Sequence, residues 1–137
     1  MEKSQIRSTV DYEKQGIQHG ALYVPYSYNL AGWANLIVPI SVFNRGEGKT
    51  ALVMAGNHGD EYPGQVAIMR MLRELQLDEL TGRIIFIPAL NMPASKAATR
   101  LSPLDGKNLN RCFPGNPFGT PTEMIAHYLT TVLFPLS

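Results

Sequence analysis

The chain reads ALVMAGNHGDEYPGQ over residues 51–65, where a run of apolar residues leads through a glycine-flanked histidine into a helical pattern. The apolar run at residues 51–55 is short and continuous, which predicts a buried strand with both faces covered. A helix is predicted over residues 62–75, a Thr-Gly pair ends it, and a second buried strand follows over residues 83–90. Strand, helix and strand in this order predict a βαβ unit.

The predicted helix carries apolar residues at helical spacing, which we expect to form its packing face: Val66, Met69, Leu72 and Leu75. Met71 is expected to pack as well. Arg70 and Glu74 stand four residues apart, a spacing that predicts an ion pair along the helix.

Two further strands are predicted before this unit, over residues 21–24 and 34–43. Pro39 lies inside the second one. Because proline has no N–H to donate, its presence indicates an edge strand or a bulge.

The last third of the chain combines a long loop with a helix. Residues 99–119 hold three Pro, three Gly and three Asn, which predicts an ordered loop or a set of turns. Thr120 followed by Glu123 forms a capping-box pattern with proline at the first helical position. A helix is therefore expected from there to about Leu133.

Composition places the chain among ordinary globular proteins. Its 137 residues fit one domain, with 45% apolar and 17% charged residues. A formal net charge of +1 argues against a nucleic-acid or anionic-membrane surface. No apolar run reaches the ~18 residues of a membrane span, and the N-terminus lacks the apolar core of a signal peptide. The single cysteine, Cys112, cannot form an internal disulfide and is read as inert, so a cytoplasmic setting is expected.

His58 and Glu61 form a candidate metal site at the predicted end of a strand. Imidazole nitrogen and carboxylate oxygen are both zinc ligands, and a tight turn can aim side chains three residues apart at one point. Ligands commonly bind at this edge of an open α/β sheet. The alternative is that Asp60 or Glu61 merely caps the helix while His58 lies at the surface.

Arg100, Asn110 and Arg111 form a second candidate group within the long loop. The planar guanidinium of arginine grips carboxylates, so two arginines and an asparagine suit a small anionic substrate. The alternative is a loop held by salt bridges, with Asp105 as an acceptor.

Three motifs in order give the chain a family resemblance: GNHGDE (residues 56–61), PALNMPA (residues 88–94) and TRLSPLDGKNLNRCFPG (residues 99–115). Together they resemble the succinylglutamate desuccinylase/aspartoacylase family, relatives of the zinc carboxypeptidases. The resemblance runs from Tyr12 to the last residue. The opening over residues 19–27 is most similar to the branch that deacetylates N-acetyl-diaminobutyrate.

The resemblance implies an α/β fold with a zinc-carboxypeptidase-like mixed sheet flanked by helices. It implies that residues 1–47 form a small N-terminal β region. Residues 48–137 would then be the N-terminal part of a zinc-hydrolase catalytic domain, truncated before its C-terminal part.

The resemblance also implies roles for single residues. His58 and Glu61 would hold one zinc ion, and Arg100 would polarise the scissile carbonyl and stabilise its oxyanion. Asn110 and Arg111 would hold a substrate carboxylate. The implied reaction is hydrolysis of the amide bond of a small N-acyl amino acid.

The family supplies a third zinc ligand, a histidine, and a glutamate general base, both expected beyond Ser137. His127 and His19 are the other histidines of the chain, and both are read as structural. The chain alone is therefore expected to be inactive, and an uncovered sheet edge would allow a homo-oligomer. A carboxypeptidase-like peptidase and a non-catalytic metal- or ligand-binding domain are the alternative functions.

Overall fold

The computed structural model describes residues 3–137, apart from the side chains of residues 31 and 33. Five strands form one sheet in the order β1-β2-β3-β5-β4. The strands are β1 (Arg7–Ser8), β2 (Gly16–Tyr28), β3 (Ala31–Asn44), β4 (Thr50–Met54) and β5 (Arg83–Ile87). The helices are α1 (Tyr62–Glu74), α2 (Met92–Ala97), α3 (Pro121–Tyr128) and α4 (Phe134–Leu136), with 3-10 turns at Leu77–Glu79 and Leu109–Arg111 and a π-helical segment at Leu129–Leu133.

The first half of the chain is dominated by a long antiparallel hairpin of β2 and β3. Its register runs from Gly16 opposite Asn44 to Tyr28 opposite Ala31. Both strands are longer than predicted. The prediction of an edge strand or a bulge at Pro39 is wrong, because β3 lies between β2 and β5 and Pro39 pairs in register with Ala21. Proline is tolerated there because only residues 41–44 of β3 pair with β5.

The predicted βαβ unit is confirmed. β4 and β5 are parallel, with Thr50 opposite Arg83 and Met54 opposite Ile87, and α1 connects them. Because β5 also pairs antiparallel with β3, the sheet is mixed, as expected. One sheet thus carries strands from both sides of residue 47, and the division of the chain at that point stays a prediction.

The prediction that β4 is buried on both faces is wrong. β4 ends the described sheet and pairs only with β5. Ala51 is exposed, and Met54 is 36% exposed. The strand buried in the way the apolar run suggested is β5, where Ile85, Phe86 and Ile87 are fully enclosed.

The predicted packing face of α1 is only partly right: Leu72 and Leu75 pack against the sheet, and the other predicted residues do not. Val66 is 62% and Met69 46% exposed, and Met71 is exposed too. Ile68 is buried instead, and it packs with Leu72, Leu75 and two sheet phenylalanines, Phe43 and Phe86. Residues 68, 72 and 75 form their own helical stripe, and the sheet lies on that side. The Arg70–Glu74 ion pair is confirmed, with 2.8 Å between Nε and Oε1.

Helix α3 packs on the face of the sheet opposite to α1, because it joins the cluster with Ile85 and Ile87 whereas α1 packs with Phe86. Its predicted capping box is confirmed: the Thr120 N–H donates to Glu123 Oε2 at 2.8 Å, and Pro121 follows the cap. The helical path continues past Tyr128 but widens into the π-helical segment. Leu129 and Leu133 there join β2, β3 and β5 in one apolar cluster. Among the described residues, no helix is long and apolar enough to cross a membrane.

Candidate functional site

The loop after β4 positions His58 by continuing the hydrogen-bonding pattern of the sheet. The Ala55 N–H donates to the Ile87 carbonyl at 3.0 Å, and the Asn91 N–H donates to the Gly56 carbonyl at 2.9 Å. Gly56 adopts a positive φ of 70°, which glycine tolerates without strain. The chain therefore turns sharply at the end of β4, and the next residues rest against α2.

His58 and Glu61 meet in space as the spacing predicted. His58 Nδ1 lies 2.9 Å from Glu61 Oε1. The ring of His58 is only 4% exposed, whereas the Glu61 side chain is 59% exposed. Glu61 occupies the N-cap position of α1 but makes no side-chain capping bond. The alternative of a capping carboxylate beside a surface histidine is therefore wrong.

Asn108 holds the other side of the His58 ring. Its Oδ1 lies 3.1 Å from His58 Nε2 and also accepts the backbone N–H of Asn110 at 3.1 Å. A backbone N–H can only donate, so the Asn108 atom at this position is the oxygen. An oxygen facing the ring requires a proton on Nε2, which leaves the lone pair on Nδ1 of neutral His58.

This arrangement matches the donor chemistry of a metal site. With the proton on Nε2, a lone pair on Nδ1 and a carboxylate oxygen face each other at 2.9 Å. Two acceptors repel unless a cation, either a proton or a metal ion, lies between them. Zinc binds both atom types at about 2.0–2.2 Å. Its histidine ligands commonly donate their second N–H to an oxygen, as His58 does to Asn108.

Electrostatics at Glu61 favour its charged form. The largest influence, a hydrogen bond that His58 donates when Nδ1 carries a proton, lowers the pKa of the carboxyl, and burial raises it. The positive charge of Arg100 lowers the same pKa further, since Arg100 Nη1 donates to Glu61 Oε1 at 3.2 Å. An ionised carboxylate is the form that binds a cation.

Asn110 completes the cluster from the 3-10 turn. Asn57 Nδ2 donates to Asn110 Oδ1 at 2.7 Å, which links the turn to the loop after β4. Asn110 Nδ2 lies 3.5 Å from His58 Nε2, too far and of the wrong polarity for a bond once Nε2 is protonated. The structure thus brings together four of the five predicted site residues.

Arg111 belongs to the same 3-10 turn but points to no partner. It is exposed, and its side chain forms no ion pair within the part of the chain that the structure describes. The alternative of a loop held by salt bridges is confirmed in part, since Arg100 pairs with Glu61, but among the described residues neither arginine pairs with Asp105. Asp105 instead accepts the N–H and the hydroxyl of Thr122, at 3.0 and 2.9 Å.

Two site residues were missed from the sequence, Asn57 and Asn108. Asn57 directly precedes His58, and Asn108 stands two residues before Asn110. The available signal was the pair of asparagines leading into Arg111, which suggests a turn with inward amides. Nothing local indicated that Asn108 would contact a histidine fifty residues earlier.

The two other histidines are structural, as predicted. His19 Nδ1 lies 2.8 Å from Ser41 Oγ, and the ring packs edge-on against Phe43. His127 is buried in α3. Over residues 3–137 no group of three or more His, Cys, Asp or Glu side chains could hold a metal ion. Burial raises the pKa of the Cys112 thiol, which agrees with an inert cysteine.

Known proteins match the chain in sequence and in fold. Residues 47–136 match the succinylglutamate desuccinylase/aspartoacylase catalytic domain family. The N-alpha-acetyl-L-2,4-diaminobutyric acid deacetylase of Halomonas elongata is 48% identical over 98% of this chain.

Two solved structures superpose on the whole chain, each with a TM-score of 0.96 at 42% identity. They are a succinylglutamate desuccinylase from Silicibacter sp. and a product-bound ectoine utilization protein from Ruegeria pomeroyi. The chain spans 39% of the length of the Halomonas relative and 42% of each solved chain. With most of its length matched by the family and 48% identity to a relative over 98% of its residues, this chain belongs to the succinylglutamate desuccinylase/aspartoacylase family.

Proposed function

We propose that this chain supplies part of a zinc-dependent active site that hydrolyses the amide bond of a small N-acyl amino acid. One observation carries the proposal: His58 Nδ1 and Arg100 Nη1 both converge on the same oxygen of Glu61, at 2.9 and 3.2 Å. Two metal-ligand atoms and a cation for a developing oxyanion therefore share one small region. The family membership supports this class of reaction.

His58 and Glu61 are the residues that would hold the metal. Zinc, when bound, makes water acidic enough to act as a nucleophile near neutral pH. A catalytic zinc usually has three protein ligands, and the described residues bring two together. The third ligand and the general base that the resemblance implies would come from residues other than those described. The proposal therefore includes that this chain alone turns over little or no substrate.

Arg100, Asn110 and Arg111 would handle the substrate. The guanidinium of Arg100 is 56% exposed, so it has donors left for a carbonyl oxygen as negative charge develops there. Arg111 is exposed beside Asn110 and offers a planar fork for a carboxylate. The substrate class we propose is an N-acetylated diamino acid, by analogy with the deacetylase to which this chain is 48% identical over the aligned residues.

Two wider expectations remain part of the proposal. The single cysteine is compatible with a reducing, cytoplasmic setting. The edge of β4 carries the exposed residues Ala51 and Met54 and has a neighbour on one side only among the described strands. Such an edge can pair with another chain, which would give a homo-oligomer.

A zinc titration of the purified chain, followed by calorimetry, tests the proposed metal site. We expect one zinc ion per chain in the wild type and loss of binding in His58→Ala. His19→Ala is the matched control, because it removes a histidine that bonds to Ser41 outside the site. Equal zinc binding by the wild type and His58→Ala would remove the basis of the proposal.

The substrate class is tested in a separate experiment on the zinc-loaded chain. Because this chain alone is expected to turn over little or no substrate, the readout is binding: tighter binding of an N-acetylated diamino acid than of a dipeptide favours a deacylase, and the reverse favours a carboxypeptidase-like peptidase. Zinc binding with no affinity for either compound would instead favour a metal-binding domain without catalysis.

A further inference from the structure

We propose that Asn108 is a positioning residue that fixes the tautomer of His58 and thereby keeps Nδ1 free to hold a cation. The consequence for metal affinity rests on the proposed function. The tautomer preference itself rests only on the geometry of the chain. The two can therefore fail separately.

The His58 ring has two competing partners, one on each nitrogen. Its Nδ1 lies 2.9 Å from the Glu61 carboxylate, and its Nε2 lies 3.1 Å from Asn108 Oδ1. Neutral imidazole has one proton, so only one of these contacts can be a hydrogen bond at a time. A proton on Nδ1 would bond to Glu61 and join the two metal-ligand atoms to each other. Asn108 opposes that internal bond by drawing the proton to Nε2.

The turn that carries Asn108 holds its oxygen in place. Asn108 caps the 3-10 turn Leu109–Arg111, and its Oδ1 accepts the Asn110 N–H. Its own carbonyl accepts the Arg111 N–H at 2.9 Å and lies 3.3 Å from the Cys112 thiol, which donates to it. Leu109 is fully buried and anchors the turn in the core. Two contacts and the Leu109 anchor thus hold the backbone of Asn108, and rotating Oδ1 away from the ring would break its bond to the Asn110 N–H.

Because the side chain of Asn108 is an amide, it adds no charge to the site. A carboxylate at residue 108 would place a second anion next to the histidine and Glu61, whereas the amide supplies an acceptor oxygen with no net charge. Ring orientation and ligand charge are therefore set by different residues, Asn108 and Glu61.

The test uses nitrogen-15 NMR of the metal-free chain well above the ordinary imidazole pKa of about 6.5. The signals of His58 are identified by their loss in His58→Ala. We expect the Nε2–H tautomer in the wild type and a shift toward Nδ1–H in Asn108→Ala. Asn108→Asp keeps both acceptor contacts and should keep the wild-type tautomer. Asn116→Ala is the matched control, since Asn116 accepts the Phe118 N–H at 3.0 Å in the same loop.

Three results would overturn the proposal. They are an Nδ1–H tautomer in the wild type, an unchanged tautomer in Asn108→Ala, and an equal shift in Asn116→Ala. The first of these needs only His58→Ala, to identify the signals, so the proposal stays testable even where Asn108→Ala does not fold.

Zinc affinity gives the second readout. Loss of a hydrogen-bonding partner of a metal ligand typically weakens metal binding about 10–100-fold, and we expect that range for Asn108→Ala. A tautomer shift without zinc binding in the wild type would defeat the proposed function and leave the positioning role standing. Suppose instead that the wild type binds zinc tightly and Asn108→Ala changes neither the tautomer nor the zinc affinity. The positioning role of Asn108 would then be defeated, and the proposed function would stand.

Discussion

Gly59 and Ala94 are packed so closely that a Cβ on residue 59 would lie 1.9 Å from the carbonyl carbon of Ala94. This contact seats the loop after β4 against α2, directly beside His58. A side chain at residue 59 must push the loop and the helix apart, and His58 moves with the loop. The glycine is therefore required by space, and no positive φ is involved.

Gly59→Ala should destabilise the chain by at least about 1–3 kcal/mol, the usual cost of overpacking. Urea unfolding followed by circular dichroism measures the change. Gly32→Ala is the control, because a Cβ at Gly32 meets nothing within 4 Å and should change stability by less than about 0.5 kcal/mol. Equal stability of Gly59→Ala and the wild type would show that the loop is not seated on α2.

Asp105 should make the chain more stable at neutral than at acid pH. Burial raises the pKa of its carboxyl, but hydrogen bonds from Thr122 and from the backbone of Lys107 outweigh it and lower the pKa below its ordinary value. A folded pKa below the unfolded value of about 3.9 gives stability that is present above that pH. The contribution is lost as the pH falls through the folded pKa. Glu123, paired with Lys107, also has a lowered pKa and acts in the same direction.

Asp105→Ala should lower stability at pH 7 by about 1–3 kcal/mol, because it leaves the Thr122 donors without their acceptor. It should also flatten the decline of stability on acidification. Urea midpoints measured at several pH values report both effects. Asp78→Ala, which removes an exposed carboxylate elsewhere, should leave the pH profile as in the wild type. A profile that stays just as steep without Asp105 would contradict the assignment.

The packing face of α1 is tested by two neighbouring residues. Ile68 is 3% exposed and packs against Phe43 and Phe86, whereas Met69 is 46% exposed. Ile68→Ala should cost about 2–5 kcal/mol through the cavity it leaves. Met69→Ala should cost less than about 1 kcal/mol, as is usual for surface positions. Similar losses in urea unfolding of the two variants would show that α1 is rotated from the described orientation.

The two residues also show what the sequence could reveal about the fold. The elements of the βαβ unit were predicted within a few residues, because apolar runs and turn residues are local signals. The face of α1 was predicted only in part, because residues 66, 69, 72 and 75 and residues 68, 72 and 75 both follow helical spacing. Only the position of the sheet decides between these stripes, and that position depends on distant pairings. The misjudged burial of β4 has the same cause, since its place at the edge follows from the strand order.

The residues of the candidate site were likewise predicted where the signal is local and missed where it is not. His58 and Glu61 were found because they are three residues apart on one turn, and Arg100 and Asn110 because a polar loop concentrated them. Asn108 was missed because its partner is fifty residues away. The histidine's second contact is a tertiary one, and no spacing within the chain encodes it.

Arg100 should weaken, not strengthen, metal binding by the chain. Its Nη1 donates to Glu61 Oε1, the same oxygen that faces His58, so it competes for that oxygen and repels a divalent cation. Both side chains are more than half exposed, so solvent screens their interaction and keeps the effect on zinc affinity small. Arg100→Gln should therefore raise zinc affinity by less than about tenfold, and added salt should shrink the difference because it screens the charges. Calorimetric titrations at low and high salt measure this, with Arg73→Gln at the far end of α1 as the control. A lower zinc affinity in Arg100→Gln would mean that Arg100 acts mainly by holding Glu61 in place, and its assignment to the oxyanion would lose support.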